Sequence, residues 1–175
     1  MGHAQATEFS PLNIAVLTVS DSRTAANDTS GDALQQRLEE VGHHLVDRTI
    51  VPDNIYQMRE IFSRWIADSN VHVVISTGGT GLTGRDSTPE AVTPLFDKAI
   101  EGFGELFRAV SLKDIGASTI QSRAVAGLAN STLIFCLPGS TGACKTGWDE
   151  ILKEQLDIRT RPCNFAQMFP RMDEK

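Results

Sequence analysis

Cysteine is scarce in this chain. Cys136, Cys144 and Cys163 are the whole complement of 175 residues, odd in number and without a Cys-x-x-Cys pair. A disulfide framework and a cysteine-held metal cluster are thereby excluded, and a reducing, cytoplasmic setting is expected. No apolar run approaches the ~20 residues that span a bilayer, so no membrane association is expected. Met1 to Glu8 shows neither the charged nor the apolar region of a secretory leader. Gly2 stands where a myristoyl group attaches, but His3 follows it and no basic patch accompanies it. Positive charge is short as well. The formal net charge of −6 leaves no basic face for nucleic acid, although it permits a local cationic pocket for a small anion. Repeats, low-complexity tracts and linkers are also missing. What remains is an ordinary globular composition, 41% hydrophobic and 22% charged, at a length suited to one domain with its own core. The expected boundaries are a flexible N-terminal segment over 1–11, a domain over 12–165 and a tail over 166–175.

The apolar pattern predicts an α/β protein. Asn13–Ser20 and Val71–Thr77 are continuous apolar runs of the kind that form buried strands, with His44–Val51 a further strand. Between them lie two helical patterns. The first carries Leu34, Leu38 and Val41, is capped by Thr29 or Ser30 and stops at Gly42. The second carries Ile55, Met58, Ile61, Phe62, Trp65 and Ile66 and is capped by Asp53 or Asn54. A third helix starts near Pro89, either through a Ser87-x-x-Glu90 capping box or with Thr88 as cap. A fourth is expected over Glu105–Asp114 and a last one over Thr141–Leu156. Residues 123–128 and Thr132–Leu137 face each other across residues 129–131 as a hairpin. The β-α-β-α-β order calls for a three-layer sandwich: a mostly parallel sheet, helices on both faces and a C-terminal antiparallel hairpin.

In such a sheet, ligands bind beyond the carboxyl ends of the strands. Ser20–Arg23, Pro52–Asp53, Thr77–Asp86 and Pro138–Thr141 should therefore converge. Gly78, Gly79, Gly81 and Gly84 let backbone N–H groups approach an anion. Asp86 beside such a cradle has two readings: a Mg²⁺ carboxylate shared with substrate phosphates, or a helix cap or Arg85 partner. Asp53 is likewise either a helix N-cap or a second carboxylate for the metal or the attacking group. Residues 79–84 spell GxGxxG, but after the third strand and with no acid about 20 residues on, which disfavours a nicotinamide-dependent dehydrogenase. Residues 139–146 nearly spell a P-loop, with Cys144 in place of its second glycine. Asp21 and Asp28 read as solvated, and Cys144 as a weak candidate for a reactive thiol at a helix start. Cys136 reads as core, and His43, His44 and His72 as structural or surface residues.

Leu17-Thr-Val-Ser-Asp-Ser-Arg23, Val51-Pro-Asp53, Thr77-Gly-Gly-Thr-Gly81, Arg85-Asp-Ser-Thr-Pro-Glu-Ala91, Gly102-Phe-Gly-Glu105, Gln121-Ser-Arg123 and Leu137-Pro-Gly-Ser140 occur together in this chain. With them the chain resembles the MoaB/MogA family of molybdenum cofactor biosynthesis proteins from about Leu12 to Asn164. The ending Thr160-Arg-Pro-Cys-Asn-Phe165 resembles the MoaB branch. The resemblance implies an oligomer, trimeric or hexameric, that binds molybdopterin and a nucleotide, ATP or GTP, with Mg²⁺. It also implies partners among other cofactor-assembly proteins. Adenylyltransferase members join the terminal phosphate of molybdopterin to the α-phosphorus of ATP and release pyrophosphate; other members bind without transferring. Carried onto this chain, Asp53 and Asp86 are the expected catalytic and metal carboxylates. Ser20, Asp21, Thr77, Gly78, Gly79, Thr80, Gly81, Glu105, Ser122, Arg123, Pro138, Gly139 and Ser140 are the expected pterin- and nucleotide-binding residues. Asn54 stands where many catalytic members have an acid.

Overall fold

In a computed structural model describing residues 8–172, β1 (Asn13–Val19) runs through the centre of the molecule with six of its seven residues buried. The chain continues through α1 (Thr29–Glu40), β2 (His44–Val51), α2 (Ile55–Ala67), β3 (Val73–Thr77) and α3 (Thr88–Val92). It then forms β4 (Lys98–Ala99), α4 (Glu101–Ile115), β5 (Val125–Ala129), β6 (Thr132–Leu137), α5 (Thr141–Gly147) and α6 (Lys153–Gln155). The sheet order is β2-β1-β3-β6-β5-β4. Its first four strands are parallel and the β5 and β4 edge is antiparallel.

Alternation along the strands divides the core in two. Ile14, Val16, Val73, Ile75, Leu133 and Phe135 pack with Leu34 and Leu38 of α1, Phe103 and Phe107 of α4, and Trp148 after α5. Ala15, Leu17, Val74 and Ile134 point the other way, onto Met58, Phe62 and Trp65 of α2 and Ala91 and Val92 of α3. This is the expected three-layer α/β sandwich with its C-terminal hairpin.

Several local expectations are corrected. Asp28, not Thr29 or Ser30, caps α1, accepting from the Gly31 N–H at 3.0 Å. It is fully buried rather than solvated, because Thr18 Oγ1 at 2.7 Å and Arg48 at 2.9 Å complete its shell. Of the two expected caps of α2, Asn54 takes the role through the N–H groups of Tyr56 and Gln57, and Asp53 does not. The start of α3 has no side-chain cap at all, and Glu90 is instead held by Arg123. That helix is only five residues long and passes into a 3₁₀ turn, Thr93–Leu95, where Pro94 has no N–H to continue it. α4 begins four residues before the predicted Glu105. Gly104 lies in that first turn, where a side chain would press on the Ala124 carbonyl, so the glycine lets the helix approach the sheet. The last helical stretch contains a π turn over Trp148–Leu152 between α5 and α6.

The flanks lie against the domain where they are described. Phe9 meets the His43 ring at 4.9 Å, and Ala166–Arg171 forms a 3₁₀ turn whose Phe169 meets His72 at 5.5 Å. Residues 1–7 of the expected flexible segment lie outside the described residues, as do 173–175. Among the described residues, no helix is long and apolar enough to cross a membrane.

Candidate functional site

A cavity of about 750 Å³ opens beyond the carboxyl ends of β1, β3 and β6, within the size range of small-molecule sites. Thr18, Val19, Ser20 and Arg23 line it from the end of β1, Thr77–Gly81 and Asp86 from the glycine loop, and Pro138, Gly139 and Ser140 from the end of β6. The opposite wall comes from Phe107, Ser111, Asp114 and Ile115 of α4, a stripe at helical spacing, with Ser118, Gln121 and Ser122 following. Gly142, Ala143 and Thr146 of α5 close it. Of these groups Arg23 carries the only positive charge; its Nη1 donates to the Asn27 carbonyl at 2.9 Å and to Thr29 Oγ1 at 2.8 Å.

The glycine loop owes its shape to two left-handed residues, Gly78 at φ +102° and Gly79 at φ +65°. A Cβ on Gly78 would collide with the Val19 carbonyl, and one on Gly79 would meet Thr88 Oγ1 and come within 2.8 Å of Asp53 Oδ2. The loop is tied to the β6 end as well. The Gly78 N–H donates to the Leu137 carbonyl at 3.0 Å, and Thr77 Oγ1 donates to the Pro138 carbonyl at 2.9 Å. Among the described residues, the N–H groups of Gly79 and Thr80 have no protein acceptor. Two unspent backbone donors on a cavity wall are what an anion needs.

Asp86 sits on that wall. It is neither a helix cap nor an Arg85 partner: its Oδ2 accepts from Thr83 Oγ1 at 2.6 Å and from the Thr83 N–H at 2.9 Å. The Thr83 hydroxyl is the main reason its pKa falls below the ordinary carboxylate value. Asp53 is beside Gly79 but off the cavity wall, and its Oδ1 accepts from Ser87 Oγ at 2.7 Å and from the Ser87 N–H at 3.2 Å. Asp21 is also off the wall. Arg85 holds it at 2.6 and 3.0 Å and depresses its pKa, and Asp21 in turn accepts from the Asp53 N–H at 3.1 Å. Arg85 therefore pairs with Asp21.

Glu105 projects from α4 outside the cavity-facing stripe and is exposed. Arg123 lies off the wall, donating to the carbonyls of Gly81 at 2.9 Å, Thr80 at 3.3 Å and Asp86 at 3.2 Å, and pairing with Glu90. Cys144 lies fully buried beneath the site and donates to Thr77 Oγ1 at 3.0 Å. Burial pushes its thiol up to about 11, so it is no nucleophile. Arg23 and the α4 wall stand outside the ligand residues that the resemblance implies. Ser111 and Asp114, polar positions continuing the apolar Phe103–Phe107 stripe, were the available signal.

No group of three or more His, Cys, Asp or Glu side chains converges among the described residues, so there is no protein cage for a metal. Mg²⁺ ordinarily takes one or two carboxylates and completes its shell with water and ligand phosphates. Asp86, ionised and on the wall beside the unspent amides, fits that donor pattern.

A mainly parallel sheet with a glycine-framed cavity at the carboxyl ends of its strands defines an α/β protein with a site of small-molecule size. The family model described as "Probable molybdopterin binding domain" matches residues 15–158, and the chain belongs to this family. It is 58% identical over 159 residues to molybdenum cofactor biosynthesis protein B of Escherichia coli (strain K12), covering 91% of this chain and 94% of that relative. A crystal structure of a molybdenum cofactor biosynthesis protein B superposes with a TM-score of 0.82 at 39% identity, over 84% of this chain and 92% of that one. The tungsten cofactor synthesizing protein MoaB of Pyrococcus furiosus superposes at 0.74, also at 39% identity, over 82% and 92%.

Proposed function

We propose that this chain serves molybdenum cofactor biosynthesis in the cytoplasm by binding the phosphate of molybdopterin and joining it to the adenylyl group of ATP. The terminal phosphate attacks the α-phosphorus of ATP, the bond to the β-phosphate breaks, and pyrophosphate leaves. The observation that carries this reading is the presence on one wall of the Asp86 carboxylate and the unspent Gly79 and Thr80 amides. Those amides hold the phosphate, Arg23 draws the anion inward, and the hydroxyls of Ser20, Ser122 and Ser140 orient the polar rest of the ligands. Asp86 would hold Mg²⁺, with Asp53 the nearby second carboxylate, and the ion would neutralise phosphate charge.

A second reading is a protein that binds pterin and nucleotide, ATP or GTP, without transfer. It is favoured by Asp53, which stands off the wall with one oxygen committed to Ser87. The two separate on pyrophosphate release from molybdopterin, Mg²⁺ and ATP, with GTP run in parallel. Transfer predicts release well above the no-protein control. It further predicts that Asp86→Asn keeps the fold, since an amide oxygen still accepts from Thr83, while turnover falls on the order of 100-fold. Background release with the wild-type chain, alongside saturable molybdopterin binding, would establish the second reading instead.

A further inference from the structure

The cavity wall raises a question of aim: what turns the Gly79 and Thr80 amides toward the ligand? In a trans peptide the C=O and the following N–H point in opposite directions, so whatever grips a carbonyl also directs the next N–H. Thr88 grips two successive carbonyls. Its Oγ1 donates to the Gly78 carbonyl at 2.8 Å and its N–H donates to the Gly79 carbonyl at 2.9 Å. The N–H groups opposite those carbonyls belong to Gly79 and Thr80, which have no protein acceptor among the described residues. Thr88 is fully buried and does not line the cavity, so it acts from behind the loop. Arg123 takes the next two carbonyls, Thr80 and Gly81, and that of Asp86. The Gly81 amide is thereby turned onto the Asp86 carboxylate, whose pKa it helps to lower.

We propose that Thr88 and Arg123 are positioning residues. Thr88 holds the Gly78 and Gly79 carbonyls away from the cavity, so that the Gly79 and Thr80 amides form the phosphate cradle before any ligand arrives, and Arg123 holds the following carbonyls, so that Asp86 stays fixed beside that cradle. The assignment rests on the phosphate-binding reading and gives Arg123 a role away from the ligand. A hydrogen-bonded clamp of this kind lowers the ordering cost of binding, because the loop is already in its bound shape. The Arg123–Glu90 pair contributes less than the carbonyl bonds, since Glu90 is half exposed.

The test uses the full chain carrying Thr88→Val, Thr88→Ser, Arg123→Ala or Arg123→Lys. Amide hydrogen exchange is measured without ligand, and affinity by titration with molybdopterin. Thr88→Val keeps the shape and removes the hydroxyl donor. It should speed exchange at the amides of residues 78 and 88, which donate to the Leu137 and Gly79 carbonyls, by about 10-fold or more while β3 amides hold their rates, and weaken binding by about 10-fold. Thr88→Ser keeps both donors and should restore wild-type values. Arg123→Ala should speed exchange at Gly81 and weaken binding, with Arg123→Lys intermediate because one ammonium cannot span three carbonyls. Unchanged loop exchange in Thr88→Val and Arg123→Ala would overturn the proposal, and so would a serine variant as impaired as the valine. A wild-type chain that binds no molybdopterin would remove the functional reading, while the exchange data would still decide the clamp.

Discussion

Asp28 shows how far one side chain's setting can depart from its neighbourhood in sequence. It lies in a polar stretch, yet the fold buries it between β1, α1 and β2 with Thr18, Gly31 and Arg48 around it. Burial raises its pKa, but the Arg48, Gly31 and Thr18 hydrogen bonds together outweigh that and hold it below 3.8. A carboxylate with a depressed native pKa contributes stability that is complete above its unfolded value and is lost as pH falls through the native one. Asp28→Asn should therefore cost about 3 kcal/mol in urea unfolding at pH 7, the lower end for breaking a buried pair because Arg48 keeps Asp32. The difference between variant and wild type should shrink once the pH drops below 3.8. A gap that stays constant down to the acid limit would mean the charge contributes nothing.

At the scale of elements, the junction between β3 and the loop that follows it governs the site. β3 ends where Gly78 turns to positive φ against the Val19 carbonyl, and the adjoining end of β6 packs Gly139 within 3.2 Å of Gly78 Cα, counted from where its Cβ would stand. Gly78→Ala combines strain with a backbone collision and should lower stability by at least ~2 kcal/mol and abolish ligand binding. Gly84 lies in the same loop with open space around its Cβ position, so Gly84→Ala should stay within about 0.5 kcal/mol of wild type. Thermal unfolding of the two variants side by side checks the contrast, and equal losses would show that the loop's glycines share one generic role. The same glycine-rich run was legible as an anion cradle in the sequence. Which of its glycines are indispensable was not, because that depends on the β1 carbonyl behind Gly78.

For the whole molecule, His43 joins the N-terminal flank to the core. Its Nδ1 accepts from the Leu12 N–H at 3.1 Å, and its ring lies between Phe9 and Trp148. Burial pushes its pKa down to about 4. The unfolded chain then takes up the proton first as pH falls, so stability is full above 6.5 and declines toward about 4. The slope should reach about 1.4 kcal/mol per pH unit. Urea midpoints followed from pH 7 to 4.5 should fall steeply for the wild type and less so for His43→Gln, and parallel profiles would contradict this. Self-association is the other property at this scale. Leu106, Leu112 and Ile120, on α4 and the turn after it, are 47 to 81% exposed, an apolar surface that would suit the trimer or hexamer the family resemblance implies. Sedimentation should report three or six chains per particle, and Ile120→Glu should shift it toward the monomer; a wild-type monomer at micromolar concentration would contradict that expectation.

The layered α/β class, the hairpin and the positions of the glycine loop were written in the chain itself, because period-2 and period-3.6 apolar patterns and turn residues act over a few neighbours. The parallel order of the strands brings Ser20, Thr77 and Pro138 to one edge, and that too follows from the alternation of elements. Which acid takes which partner did not follow. Asp86 goes to Thr83, Asp53 to Ser87, Asp21 to Arg85 and Asp28 to Arg48, and only the first of these pairs lies within a few residues along the chain. Side chains of one type are locally interchangeable, so their pairing is settled when strands and helices from distant segments pack and fix what lies within 3 Å of each carboxylate.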